Sequence, residues 1–188
     1  MDIDYRKKPE LMLKNRNWTE SYLLNAVKQN PYVVRFIENQ PYSVRMAAVT
    51  ADGMTLQYVK PMTPELVLAA VRQNGMAIKF VARPSFYAQV AAVEQNADAI
   101  QYITNPVYGV QLAAIKHSPE SLRFIKNQLP EIRMMAVQDN GLLLKYIALQ
   151  TEAIQMAAIK QNVGAFKYAK TPSANVRNLY YEMICKGM

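Results

Sequence analysis

The chain has 188 residues, of which 22 are Lys or Arg and 14 are Asp or Glu, so its formal net charge is +8. Hydrophobic residues make up 51% and only 6 residues are Gly, which excludes intrinsic disorder and low-complexity linkers. The longest apolar run is about six residues, too short to span a membrane. The charged N-terminus and the single Cys185 predict a cytoplasmic protein without a disulfide and without a membrane partner.

A repeat of 22 residues runs through most of the chain. Its most regular feature is an alanine followed by Val or Ile, which recurs at Ala26, Ala48, Ala70, Ala92, Ala114, Ala136 and Ala158. An aromatic residue follows each alanine ten positions later, at Phe36, Tyr58, Phe80, Tyr102, Phe124, Tyr146 and Tyr168. Self-similarity at one fixed period indicates a repeat protein.

The elements can be predicted in chain order. Residues 1–21 lack the repeat and are predicted to form an N-terminal cap. From residue 22 to residue 171, each repeat is predicted to form two short helices, the first of which contains the alanine. The second helix is predicted to begin at a residue of the N-cap type, namely Asn30, Asp52, Asn74, Asn96, Ser118, Asn140 and Asn162. Glycines follow three of these caps and are expected to allow a tight turn.

Residues 172–188 are predicted to form a C-terminal cap. A unit of two short helices cannot bury both of its faces alone, so it must pack against its neighbours. The sequence therefore predicts an all-α fold: an α-solenoid of about seven two-helix repeats, capped at both ends and forming one continuous domain.

The structural core is predicted from two columns of equivalent positions. The alanine column admits no side chain larger than a methyl group, which indicates a close approach between helices at Ala48, Ala70, Ala92 and Ala114. The aromatic column is predicted to be buried as well, at Tyr58, Phe80, Tyr102, Phe124 and Tyr146. A methionine column is assigned to the core on the same grounds, at Met46, Met134 and Met156.

Two segments carry a resemblance to a known family. ELVLAAVRQNGMAIKFVA at residues 65–82 and EIRMMAVQDNGLLLKYIA at residues 131–148 resemble the short helical repeats catalogued as domain of unknown function 4116. The AAV segment, the Asn-Gly pair and the basic-aromatic pair carry the likeness. The resemblance implies a bacterial or phage source, and the host cytoplasm as the location of a viral protein, but it supplies no reaction.

Residues that could carry chemistry are few. One His and one Cys provide neither a metal-ligand spacing nor a nucleophile pair, and no phosphate-binding loop is present. We therefore predict no catalytic residues, no metal and no cofactor, and we expect a protein that is not an enzyme. His117 is predicted to lie in a surface loop, and Cys185 to be a small hydrophobic or exposed residue of the C-terminal cap.

Basic residues are concentrated in two columns. One column precedes the aromatic residues and contains Arg35, Lys79, Gln101, Arg123, Lys145 and Lys167. The other follows the Val or Ile of the first helix and contains Lys28, Arg72, Lys116 and Lys160. A solenoid stacks equivalent positions into stripes, so these residues are the predicted partner-binding surface.

Solvated lysines would form such stripes in any repeat with one polar position per helix, so an ordinary surface remains an alternative. Gln and Arg side chains, whose N–H donors point in defined directions, favour recognition of a partner over simple solvation, at Arg45, Gln57, Gln89, Gln101, Gln111, Arg133, Gln155 and Arg177. We predict a non-catalytic binding module for an acidic protein surface. The family resemblance alone extends this to a phage inhibitor of a host defence component. The alternatives are nucleic-acid or nucleotide binding and structural self-assembly.

Overall fold

A computed structural model describes residues 18–186 of the chain. The chain divides into two compact units, residues 1–103 and residues 104–188. The uninterrupted repeat register gives no sign of this division. Apart from its last four residues, the predicted N-terminal cap at residues 1–21 lies outside the described part of the chain.

The first unit alternates α-helices with 3₁₀ helices. The α-helices are α1 (Glu20–Gln29), α2 (Tyr42–Ala51), α3 (Pro64–Gln73) and α4 (Phe86–Gln95). Each is followed by a 3₁₀ helix: η1 (Pro31–Phe36), η2 (Gly53–Tyr58), η3 (Gly75–Phe80) and η4 (Ala97–Tyr102).

The second unit continues the same alternation. Its α-helices are α5 (Tyr108–His117), α6 (Pro130–Asp139), α7 (Glu152–Gln161) and α8 (Ala174–Lys186). Its 3₁₀ helices are η5 (Pro119–Phe124), η6 (Gly141–Tyr146) and η7 (Val163–Tyr168). Residues 18–186 contain no strand. The predicted all-α fold of stacked helix pairs is therefore confirmed, with the difference that the second helix of each pair is a 3₁₀ helix.

One residue both ends each α-helix and begins the next 3₁₀ helix. At Asn74 the backbone is extended, with φ −150° and ψ 107°, and its N–H donates to the carbonyl of Ala70. The Asn74 side chain accepts a hydrogen bond from the N–H of Met76, so it caps the helix that follows. Six of the seven predicted caps act in this way. Ser118 differs, because its side chain caps no backbone N–H.

Each unit is built of two layers. Successive α-helices pack side by side in one layer, successive 3₁₀ helices pack side by side in the other, and the two layers contact each other. The alanine column lies in the core between them, where four alanines have no exposed surface: Ala48, Ala70, Ala92 and Ala114.

The aromatic column lies outside this core, contrary to the prediction. Tyr102 is 40% exposed, and four further members are partly exposed: Tyr58, Phe80, Phe124 and Tyr146. The buried positions lie two residues earlier, at Leu56, Ile78, Ile100, Leu122 and Leu144. A 3₁₀ helix has about three residues per turn, so residues two apart cannot both face the α layer.

Three glycines begin 3₁₀ helices because the next α-helix approaches them closely. A Cβ atom on Gly141 would lie 2.2 Å from the carbonyl oxygen of Ala158. The Gly141 N–H donates to Oε1 of Gln161 over 2.6 Å, which joins one repeat to the next. Gly53 pairs in the same way with Gln73, and Gly75 with Gln95. Among the described residues no glycine has a positive φ, so these glycines are not required by a tight turn as predicted. They are required because the next α-helix leaves no room for a Cβ atom.

Candidate binding surfaces

The two layers give each unit two outer faces. We call the outer side of the 3₁₀ helices the 3₁₀ face and the outer side of the α-helices the α face. One predicted stripe lies on the 3₁₀ helices, at Arg35, Lys79, Gln101, Arg123, Lys145 and Lys167. The other lies on the last turns of α-helices, at Lys28, Arg72, Lys116 and Lys160. All ten residues are exposed, and the two stripes belong to different layers.

On five of the seven 3₁₀ helices, a cation lies over the aromatic ring that follows it. The distances to the ring centroids are 4.4 Å for Arg35, 5.0 Å for Lys79, 4.5 Å for Arg123, 4.7 Å for Lys145 and 4.9 Å for Lys167. A cation–π contact of this kind contributes about 0.5–1 kcal/mol at an exposed site. The aromatic column therefore supports the basic stripe instead of filling the core.

The other two 3₁₀ helices place a glutamine before the ring. Gln57 Nε2 donates to the carbonyl of Met54 over 3.1 Å, and Gln101 Nε2 donates to the carbonyl of Asp98 over 2.9 Å. Each of these amides is bound to its own helix. The stripe is therefore interrupted in the first unit.

In the second unit the stripe is continuous. We call its three consecutive residues, Arg123, Lys145 and Lys167, the cation row. Residues 104–188 contain ten Lys or Arg and five Asp or Glu, a formal net charge of +5. Glu120 is the acid on these three 3₁₀ helices, and it accepts a hydrogen bond from the Ser118 hydroxyl over 3.3 Å.

Most of the Gln and Arg side chains that favoured recognition in the sequence donate hydrogen bonds to carbonyls of the protein's own loops. Gln111 is buried, and its Nε2 donates to the carbonyls of Pro106 and Asn127. Nη1 of Arg133 donates to the carbonyl of Leu149 over 2.7 Å. Four equivalent side chains also donate to carbonyls of the loops that precede or follow their helices: Arg45, Gln89, Gln155 and Arg177. These Gln and Arg side chains hold the loops between helices in place. They therefore do not support recognition of a partner.

The α face of the first unit is apolar at its centre. Four side chains of successive helices are partly exposed there: Leu24, Met46, Leu68 and Val90. Ala47, Ala69 and Ala91 lie one position later and are also partly exposed. The methionine column was therefore wrongly assigned to the core, because Met46, Met134 and Met156 all have partly exposed side chains.

Large aromatic side chains lie in the first turns of α2 and α4. Tyr42 is 47% exposed, Phe86 49% and Tyr87 76%. The rings of Phe86 and Tyr87 pack edge to face with centroids 5.9 Å apart. Phe86 and Tyr87 therefore form an exposed aromatic pair in the first turn of α4.

Two of the four helices on this α face, α1 and α3, carry opposite charges at their two ends, whereas the last turn of α4 carries Glu94. Glu20 and Glu65 lie in the first turns of α1 and α3, whereas Lys28 and Arg72 lie in the last turns of the same helices. A hydrogen bond from the Thr63 hydroxyl lowers the pKa of the Glu65 carboxyl below its usual value. Glu65 is therefore ionised at neutral pH.

Open recesses lie on the α face of the second unit between α5 and α6 and between α6 and α7. One is lined by residues that include Lys116, Met135 and Asp139. The other is lined by residues that include Met156 and Lys160. These recesses place two predicted stripe residues beside apolar surface.

The single His and the single Cys of the chain lie on different helices. His117 is the exposed last residue of α5 and not a loop residue as predicted, and Cys185 is an exposed free thiol on α8. Within residues 18–186, no group of three His, Cys, Asp or Glu side chains could hold a metal ion. No helix in the same part of the chain is long and apolar enough to cross a bilayer.

Comparison with protein-family models, curated proteins and solved structures found no match to this chain. The resemblance to domain of unknown function 4116 therefore stays a prediction.

Proposed function

We propose that this protein is a non-catalytic binding module whose cation row binds an acidic segment of another protein. The observation that carries the proposal is the repetition of one exposed basic residue, held over a ring, in three consecutive repeats of the second unit. The charged groups face outward and are arranged in a line.

The aromatic rings make this row a better binding surface than three unsupported lysines. A side chain that is already held in one position loses less conformational freedom when a partner binds. The carboxylates of a partner would therefore meet cations that are partly ordered in advance.

The spacing of the row favours an extended partner. Neighbouring helices pack about 8–10 Å apart, and an extended segment in the polyproline II conformation advances about 3.1 Å per residue and presents every third side chain on the same face. Every third residue of an extended segment therefore matches the next repeat. We infer that the partner carries Asp or Glu at every third position.

Nucleic acid is the alternative partner, because phosphates would also be attracted to this row. Sequence-independent binding of single strands usually relies on bases that stack on exposed rings. Here Phe124, Tyr146 and Tyr168 are partly buried and lie beneath their own cations, which favours a carboxylate partner.

We predict that Lys145→Gln with Lys167→Gln weakens binding of a peptide with Glu at every third position by roughly tenfold, as expected for two exposed ion pairs. The matched control is Lys116→Gln with Lys160→Gln, which removes the same charge from the α face of the same unit. Fluorescence anisotropy of the labelled peptide measures both affinities. An equal loss in the two variants would contradict the proposal. A larger loss for a single-stranded oligonucleotide than for the peptide would favour nucleic acid.

A further inference from the structure

The α face of the first unit is complementary to itself. Among the described residues, it combines an apolar centre with two helices, α1 and α3, that each have an acidic first turn and a basic last turn. We propose that this face is a homodimer interface, in which two copies of the chain pack face to face about a two-fold axis that runs along the row of α-helices.

The charges specify this orientation. Rotation about such an axis places each α-helix against the same α-helix of the partner chain. The two helices run antiparallel, so the first turn of one meets the last turn of the other. Glu65 then faces the partner's Arg72, and Glu20, whose carboxylate accepts a hydrogen bond from the Ser43 hydroxyl of its own copy, lies in the first turn opposite the partner's Lys28. Each contact occurs twice, because a two-fold interface uses the same surface on both copies.

The remaining two helices fit the same arrangement without placing like charges opposite each other. On α2, Ser43, whose hydroxyl donates to Glu20 of its own copy, faces the partner's uncharged Thr50. On α4, Tyr87 faces the partner's Glu94, so its phenol hydroxyl can donate to the carboxylate. All four helices of the face therefore accept the antiparallel packing.

The apolar centre is large enough for a specific contact. The small side chains of Ala47, Ala69 and Ala91 allow a second helical layer to approach closely. Four helices of about 15 Å, spaced about 9 Å apart, present roughly 500 Å² per copy, near the lower limit of about 1,000 Å² in total for a specific interface. The exposed rings of Phe86 and Tyr87 can act as anchors.

Charge reversal tests the proposal. Sedimentation equilibrium of the full chain should show a dimer that dissociates on dilution. Lys28→Glu with Arg72→Glu brings acids against acids, and Glu20→Lys with Glu65→Lys brings bases against bases. Each double variant alone should weaken the dimer by roughly a factor of ten or more. An equimolar mixture of the two variants should restore a heterodimer, which also shows that both variants are folded.

The control reverses two bases on the 3₁₀ face of the same unit, Arg35→Glu with Lys79→Glu, and should leave the dimer unchanged. A wild-type chain that stays monomeric at the highest concentrations reached overturns the proposal. A mixture that fails to form the heterodimer overturns it as well. None of these substitutions touches the cation row, so binding of the acidic peptide succeeds or fails independently.

Discussion

Leu144→Ala is expected to lower the free energy of unfolding by about 2–5 kcal/mol, the usual cost of removing a large aliphatic side chain from a packed core. Leu144 is the fourth residue of η6 and has no exposed surface. The two layers of the unit meet at this position, so the substitution leaves a cavity between them. Urea denaturation followed by circular dichroism measures the change.

Tyr146→Ala provides the matched control for this substitution. It removes a larger side chain from the same 3₁₀ helix, but the Tyr146 ring is partly exposed beneath Lys145. We expect a clearly smaller loss of stability than for Leu144→Ala. If the urea midpoints of the two variants coincide, the assignment of the core to the fourth residue of each 3₁₀ helix is wrong.

Gly141→Ala is expected to cost about 1–3 kcal/mol, because the added methyl group overpacks a close contact. Its Cβ atom would lie 2.2 Å from the carbonyl oxygen of Ala158, which belongs to a helix backbone and cannot rotate away. Moving α7 outward to relieve the clash would also stretch the 2.6 Å bond from the Gly141 N–H to Gln161. Thermal unfolding followed by circular dichroism reports the loss.

Gly164→Ala is the control for the effect of the methyl group alone. The same addition at Gly164 would come no closer than 3.1 Å to Asn162 Oδ1, and Gly164 is exposed. An added side chain at an unstrained position changes stability little or raises it slightly, because it restricts the unfolded chain. Equal destabilisation by the two substitutions would show that close packing is not the reason for Gly141.

The sequence predicted the helical repeats and their caps because both depend on local chemistry. An alanine-rich segment favours a helix wherever it occurs, and Asn74 caps through its own side-chain oxygen. Such features need no knowledge of distant contacts. Ser118 shows the limit, since its hydroxyl bonds to Glu120 instead of a backbone N–H.

The type of the second helix could not be predicted in the same way. Six residues make fewer than two turns of an α-helix, so their apolar pattern does not distinguish three residues per turn from 3.6. The error carried over to the aromatic column, because Tyr102 was assigned to the face that buries Ile100.

The hydrogen bonds between neighbouring repeats correspond to a second pattern in the sequence, which the predicted columns do not include. Gly53 and Gly75 have glutamine 20 residues later, and both pairs are bonded. Pro31, which has no N–H to donate, is followed at the same distance by Ala51. Comparison of positions 20 residues apart would therefore have identified the bond between neighbouring repeats.

The candidate site was only partly predictable for a related reason. The sequence shows that Gln111 and Arg133 are donors, but not that loop carbonyls accept their hydrogen bonds. The sequence also shows two basic columns. It does not show that one column lies on the 3₁₀ helices and the other on the α-helices.

The shared cap also restricts how such an array can evolve. Because Asn74 ends one helix and starts the next, no residue at this turn is free to absorb an insertion or a deletion. A single added residue there would shift both the cap and the glycine away from their partners. Duplication of a complete repeat keeps every such distance unchanged. The spacing of 22 residues is accordingly the same in all seven repeats, although their surface residues differ.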